Sequence, residues 1–123
     1  MNRLVLVLLL LGSCSVSAKE LTCSIQLSKD TPASALPSLA RISQADAEKV
    51  ALARINASSK KVVDGELEME QGCLVYSFDV RISGKKGVEE VRVDAGTGKI
   101  LSHKHETQKQ EAAEQAKDKA SSK

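Results

Sequence analysis

Between Ile42 and Lys104 the spacing of apolar residues changes from helical to alternating. Residues 44–57 (QADAEKVALARINA) run without Gly or Pro, and Ala47, Val50, Ala51 and Ile55 recur at helical spacing with Leu52 beside them. Ser43 is the natural N-cap, Ile42 the staple residue before it, and Asp46 a weaker capping-box partner. From Val63 to Glu70 the odd positions are apolar or Gly, while Asp64, Glu66, Glu68 and Glu70 are acidic, the mark of a half-buried strand. Gln71-Gly72 reads as a turn. In residues 73–83 the even positions are Leu74, Tyr76, Phe78, Val80 and Ile82, a second and stronger strand. After a turn at 84–87, Val91 and Val93 alternate with Glu90, Arg92 and Asp94. After a turn at 95–98, Lys99 to about Lys104 forms a short fourth strand.

Such short loops imply an antiparallel meander. The predicted class is α+β: one helix packed on three long strands and one short strand. One sheet face is polar, so a single covering layer is expected, and the helix supplies it. The expected inward set is Leu67, Met69, Leu74, Tyr76, Phe78, Val80, Ile82, Val91, Val93 and Ile100, packed on Val50, Ala51 and Ile55. Residues 19–40 are rich in Ser, Thr, Ala and Pro and read as an extended arm. Residues 105–123 include no Leu, Ile, Val, Phe or Met, so they form a polar tail, a solvated helix or a disordered segment, with no apolar stripe to dock.

The N-terminus carries Arg3, then an unbroken apolar run Leu4–Leu11, then small residues Val16-Ser17-Ala18 before Lys19. This is the three-part pattern of a secretory signal over residues 1–18. Eight apolar residues span roughly 12 Å as a helix, against roughly 30 Å of bilayer core, so a transmembrane helix is not expected there. A competing cut exists. Leu11-Gly12-Ser13-Cys14 resembles a bacterial lipobox, which would lipidate Cys14 and anchor the chain to a membrane. The preferred reading is cleavage after Ala18 and a periplasmic or secreted protein.

Length and charge narrow the function. The chain has 123 residues, with 18 Lys+Arg against 16 Asp+Glu, a net charge of +2 that gives no field suited to nucleic acid. Tyr76 and Phe78 are the whole aromatic complement, too few to stack bases. No nucleophile motif surrounds any Ser or Cys, so the reading is a non-enzyme without cofactor. Either cut removes Cys14 from pairing and leaves Cys23 and Cys73 in an oxidising compartment, which predicts a Cys23–Cys73 disulfide. Strand parity puts Cys73 on the face opposite Leu74, so the bond should draw the arm across that face or around its edge.

Two features could carry function. Asp64, Glu66, Glu68 and Glu70 share one strand face: a solvated row, or a docking surface for a basic protein, partly neutralised by Arg81 and Arg92. Side chains two apart on a strand lie about 7 Å apart, too far to share one Ca²⁺ easily. His103 and His105 also share a face, an incomplete transition-metal site lacking a third ligand.

Glu66-Leu67-Glu68-Met69-Glu70, then Gly72 and Leu74-Val75-Tyr76-Ser77-Phe78-Asp79-Val80, resembles the centre of PepSY domains. Val91-Arg92-Val93-Asp94-Ala95-Gly96-Thr97-Gly98-Lys99-Ile100-Leu101 is similar to their ending, and Ala45, Ala47 and Ala51 fit the alanine-rich opening. The resemblance covers about residues 41–102, giving a domain expected over 41–104; Cys73, the arm and the tail depart from the pattern. Asp94, Ala95, Thr97 and Gly98 are the motif turn, with Asp94 and Thr97 bonding turn backbone. The resemblance implies an exported binding module that regulates or inhibits a peptidase, with no catalytic residues. The alternative reading is a metal- or redox-responsive envelope protein using His103 and His105 or the Cys23/Cys73 pair.

Overall fold

A computed structural model describes residues 21–121. The signal segment 1–18 and Cys14 lie outside the described residues. A 3₁₀ turn (Ala33–Ala35) leads into α1 (Leu36–Leu39) and α2 (Gln44–Arg54). Strands β1 (Lys60–Glu70), β2 (Cys73–Ile82), β3 (Val88–Asp94) and β4 (Ile100–Glu106) follow, and α3 (Gln108–Ser121) ends the chain. The sheet is an antiparallel meander in the order β1-β2-β3-β4.

Helix α2 starts where the cap predicts: Ser43 Oγ accepts from the Asp46 N–H at 3.1 Å. It stops at Arg54, three residues earlier than expected. Ile55 turns to extended backbone and drops into the core, and Lys60 Nζ donates to the Leu52 and Ile55 carbonyls, both at 2.7 Å. A cation on terminal carbonyls satisfies groups the helix cannot. Ala47 and Ala51 are fully buried, and these methyl-sized contacts seat the helix on Leu74, Tyr76, Phe78, Val80, Val91 and Val93. Leu67, Ile82, Ile100 and Val50 pack around that core half-buried. Tyr76 places its hydroxyl at the core edge, where it donates to the Ile42 carbonyl at 2.9 Å.

The strand registers add detail that alternation missed. A bulge between Val62 and Asp64 breaks the period, so Val62 packs inward and Val63 is exposed, against the odd-position reading. Gly65 stands opposite Phe78, and a Cβ there would sit 3.0 Å from two atoms of that ring. The β1–β2 hairpin turns through Gln71 (φ 48°) and Gly72 (φ 79°), the left-handed pair a two-residue loop requires. Strands β3 and β4 begin or end two or three residues beyond the predicted limits, and His105 and Glu106 belong to β4 rather than to the tail.

Two larger expectations are corrected. The arm has a share in the core: Ile25 and Leu36 are buried with it. Leu74 N–H donates to Ile25 O at 3.0 Å and Leu27 N–H to Gly72 O at 2.7 Å, so the arm runs beside the start of β2, an interior strand of the sheet. Cys23 and Cys73 are bonded, with Cα atoms 5.9 Å apart. The tail takes the helical one of its two readings, but it docks on the sheet instead of standing free in solvent. Thr107 and Gln110 form a reciprocal cap, and α3 lies over the polar face, which therefore has a second layer. No described helix is long and apolar enough to cross a membrane.

Candidate functional site

The bulge at Val63 fixes which way the acidic row of β1 points. Asp64, Glu66, Glu68 and Glu70 face away from α2, with Asp64 and Glu66 exposed and Glu68 and Glu70 half-buried. The register then extends the row across the sheet. Asp64 stands opposite Asp79, Asp79 opposite Glu90, and Glu90 opposite Lys104. Like charges directly opposite destabilise a sheet, so this rank costs stability. The adjacent rank is Glu66, Ser77, Arg92 and Ser102.

Helix α3 closes this face into a small cavity of about 40 Å³. The sheet contributes Asp64, Glu66, Glu68, Ser77, Asp79, Glu90 and Glu106; α3 contributes Glu111, Glu114, Gln115 and Asp118. Asp79, Glu90 and Glu106 each bring a carboxylate oxygen within 4.8 Å of the others. Glu90 and Glu106 are buried, at 2% and 6% exposure. Cations reach the cluster from its rim. Lys104 Nζ lies 3.4 Å from both Glu90 Oε1 and Glu106 Oε1. Arg92 spreads its guanidinium over Glu70 (3.7 Å), Glu90 (3.3 Å) and Glu114 (3.6 Å). Arg81 does not join the β1 row; it bonds Gly87 O and pairs with Glu111 at 3.4 Å.

Burial and crowding raise several of these carboxyls. Asp79 is pushed up to about 7, by burial first and then by Glu90 and Glu106. Glu68 also reaches about 7, from burial and then Glu70, with Arg92 pulling the other way. Glu66 is raised by burial and Asp64. Glu114 is raised by burial and by the neighbouring Glu106. Burial would lower Lys104, but Glu90 outweighs it and holds the lysine above its ordinary value. An all-carboxylate set suits a proton or a hard cation rather than a transition metal. Lys104 already supplies positive charge to Glu90 and Glu106.

His103 and His105 lie on the other face, toward α2, and both meet Glu89. His103 Nε2 is 3.1 Å from Glu89 Oε2 and His105 Nδ1 is 3.3 Å from Oε1, while Lys85 Nζ donates to the same carboxylate. Burial would raise Glu89, but the Lys85 hydrogen bond and the two histidines hold it below the usual range. Glu89 is the third group the sequence reading lacked. It stands directly opposite His105 in the register, and it engages the two imidazoles as hydrogen-bond partners.

The motif turn works as a clasp. Asp94 accepts from the N–H groups of Gly96 (2.7 Å), Thr97 (3.2 Å) and Ser24 (2.8 Å), and from Ser24 Oγ. Burial would raise its pKa, but these bonds hold it below the ordinary carboxylate value. The Ala95 carbonyl accepts from Arg41 N–H and Ile42 N–H at 2.9 and 3.2 Å, and Thr97 Oγ1 from Lys99 N–H at 3.3 Å. Gly98 takes φ 76°, and at Gly96 a Cβ would collide with Ser24 Oγ. The turn thereby fastens both the arm and the approach to α2.

Sequence reasoning found the β1 row but missed Asp79, Glu90, Lys104 and Glu106. For Asp79 and Glu90 the signal was the parity of β2 and β3, where each alternates with the apolar set; Lys104 and Glu106 share the parity of Ile100 and reach the polar face only through the register shift between β3 and β4.

Residues 41–104 match the sequence model of the PepSY family, described as peptidase propeptide and YPEB domain. That span takes in α2 and the sheet up to Lys104. No curated protein and no solved structure matches the chain.

Proposed function

The chain belongs to the PepSY family, and from that premise we propose that it is an exported, non-catalytic module that regulates a peptidase by binding it. The observation that carries the reading is the placement of the acidic row on an edge strand. Among the described residues β1 pairs with β2 on one side and with no strand on the other, and it presents Asp64, Glu66 and the exposed Val63 beside that edge. An unpaired edge offers backbone groups to a partner strand, and alternate side chains give specificity. The carboxylates favour a basic partner segment and speed its encounter. Export follows from the signal pattern of residues 1–18, with release after Ala18 in preference to lipidation at Cys14.

The test is inhibition and direct binding against a panel of purified secreted peptidases, thermolysin-like metallopeptidases included. The expected result is saturable inhibition by the parent and at least tenfold weaker binding by Asp64→Asn/Glu66→Gln, two exposed sites whose change leaves the core intact. A partner held equally well by that variant would refute the role of the acidic edge. No inhibition across the panel would refute the peptidase assignment.

A further inference from the structure

Helix α3 sits on the sheet without the usual means of attachment. Its sequence QKQEAAEQAKDKAS contains no Leu, Ile, Val, Phe or Met, so hydrophobic burial contributes little to docking. It is tied by Arg81–Glu111 and Arg92–Glu114, ion pairs at 3.4 and 3.6 Å. Against these, it brings Glu111, Glu114 and Asp118 onto a face already lined with carboxylates.

We propose that α3 is a proton-operated cover on the acidic face of the sheet, closed when carboxyls at the contact carry protons and lifted when they ionise.

The groups that decide this come from every element at the contact. From β1 they are Asp64, Glu66 and Glu68, with Glu70 at the margin; from β2, Asp79 and Arg81. From β3 they are Glu90 and Arg92; from β4, Lys104 and Glu106. Lys117 and Lys119 on α3 are also engaged. Nine carboxyls line the cavity between α3 and the sheet. The two ion pairs serve Glu111 and Glu114, and Arg92 is shared with Glu70 and Glu90. Asp79 faces Glu90 and Glu106, with a carboxylate oxygen of each within 4.8 Å.

Glu106 on β4 and Glu114 on α3 line the same cavity, and burial together with the neighbouring Glu106 raises Glu114 above the ordinary carboxyl range. Asp79 and Glu68, pushed up to about 7 in the closed form, add further uptake. Lifting α3 returns these groups to water and toward their ordinary values near 4. Closing therefore takes up protons. Closure is favoured at acid pH, weakens from about pH 4 upward, and is fully penalised above about pH 7. Each proton taken up changes the closed-to-lifted ratio by up to about tenfold per pH unit inside that window.

The lifted helix uncovers the inner part of the acidic face, beyond the edge assigned above to the partner. The cover itself operates in the chain alone, so its test needs no partner and fails or succeeds separately from the binding assay. The experiment is backbone NMR of the chain beginning at Lys19, with EDTA present so that no divalent cation replaces the proton. Heteronuclear NOEs of residues 108–121, and α3-to-sheet NOEs, are followed from pH 5 to pH 8, with β1–β4 amides as the fixed reference. The expected result is an ordered α3 at pH 5, a mobile one at pH 8, and a closed-to-lifted ratio that falls at least tenfold. Glu68→Gln and Asp79→Asn each remove a carboxyl that is pushed up in the closed form, and both leave Arg81–Glu111 and Arg92–Glu114 in place. Each variant should move the midpoint upward by about one pH unit. An α3 equally ordered at both pH values, mobile at both, or ordered only at pH 8 would overturn the proposal. So would variants that both titrate like the parent.

Discussion

Replacing both Cys23 and Cys73 by Ser tests how the arm, α2 and β1 are held to the rest of the sheet. The bond closes a loop with a sequence separation of 50 residues, and that loop contains the arm, both short helical pieces, α2 and β1. In the chain-entropy treatment, a loop of that length restricts the unfolded ensemble by about 4 kcal/mol at 25 °C. Domains of this size have roughly 5–15 kcal/mol in total, so the loss is a large fraction. The native state keeps other ties for the arm. Ser24 still bonds Asp94, Leu27 still bonds Gly72, and Ile25 remains against the core. Hydrogen bonds of this kind contribute about 1 kcal/mol each. The sheet should therefore survive while the arm frays first. With a urea m-value of roughly 1–3 kcal/mol/M, the unfolding midpoint should fall by about 1.3–4 M with m little changed. Limited trypsin digestion of the variant should cut faster at Lys29, an exposed site in the arm. A stability loss under about 1 kcal/mol, with Lys29 cut no faster, would refute the argument that this loop needs closing.

Three further outcomes follow from single contacts. Gly65→Ala places a methyl 3.0 Å from two Phe78 ring atoms and should cost about 1–2 kcal/mol in thermal melts, whereas an unchanged melt would mean the ring gives way freely. Lys60→Met removes the cation from the Leu52 and Ile55 carbonyls and should cost about 1 kcal/mol, read by urea titration, with faster amide exchange confined to the last turn of α2. Asp94→Ala strands the N–H groups of Ser24, Gly96 and Thr97 and should cost about 2–3 kcal/mol at pH 7. Because the Asp94 pKa is depressed in the folded state, its contribution is full above about pH 4 and is lost as pH falls through its folded value. The parent should therefore lose stability relative to Asp94→Ala on acidification, and parallel pH profiles would contradict the clasp.

The helix-side half of the molecule was legible because each of its signals is local. Ser43 caps α2 through its own Asp46 N–H, and Leu74, Tyr76, Phe78 and Val80 mark their face by alternation alone. The failures lie where a non-local contact decides. Val63 belongs to the odd series in sequence, but a bulge costs the strand one residue of register, and nothing in the side-chain types at 62–64 announces it. Ile25 and Leu36 lie in short stretches with neither a helical nor an alternating period long enough to mark a core face; they join the core because Cys23–Cys73 and the Asp94 clasp bring the arm to it. Glu89 became a partner of His103 and His105 through β3–β4 register, across fourteen and sixteen residues of chain.

That α3 docks, and not that it is helical, escaped the sequence, and the cause is the deepest physically. Apolar periodicity detects elements that dock by removing hydrocarbon from water, and a segment without Leu, Ile, Val, Phe or Met is invisible to it. α3 instead docks through ion pairs to Arg81 and Arg92, onto a face whose own carboxylates repel it. Charges of opposite and equal sign nearly cancel there, so docking has no large term of fixed sign, and protonation decides the balance. The same cancellation explains why net charge was uninformative. A total of +2 conceals nine carboxyls gathered around one cavity of about 40 Å³. A hydrophobic contact would have made this layer both readable and permanent. An electrostatic one makes it unreadable from composition and lets a change in pH reverse it.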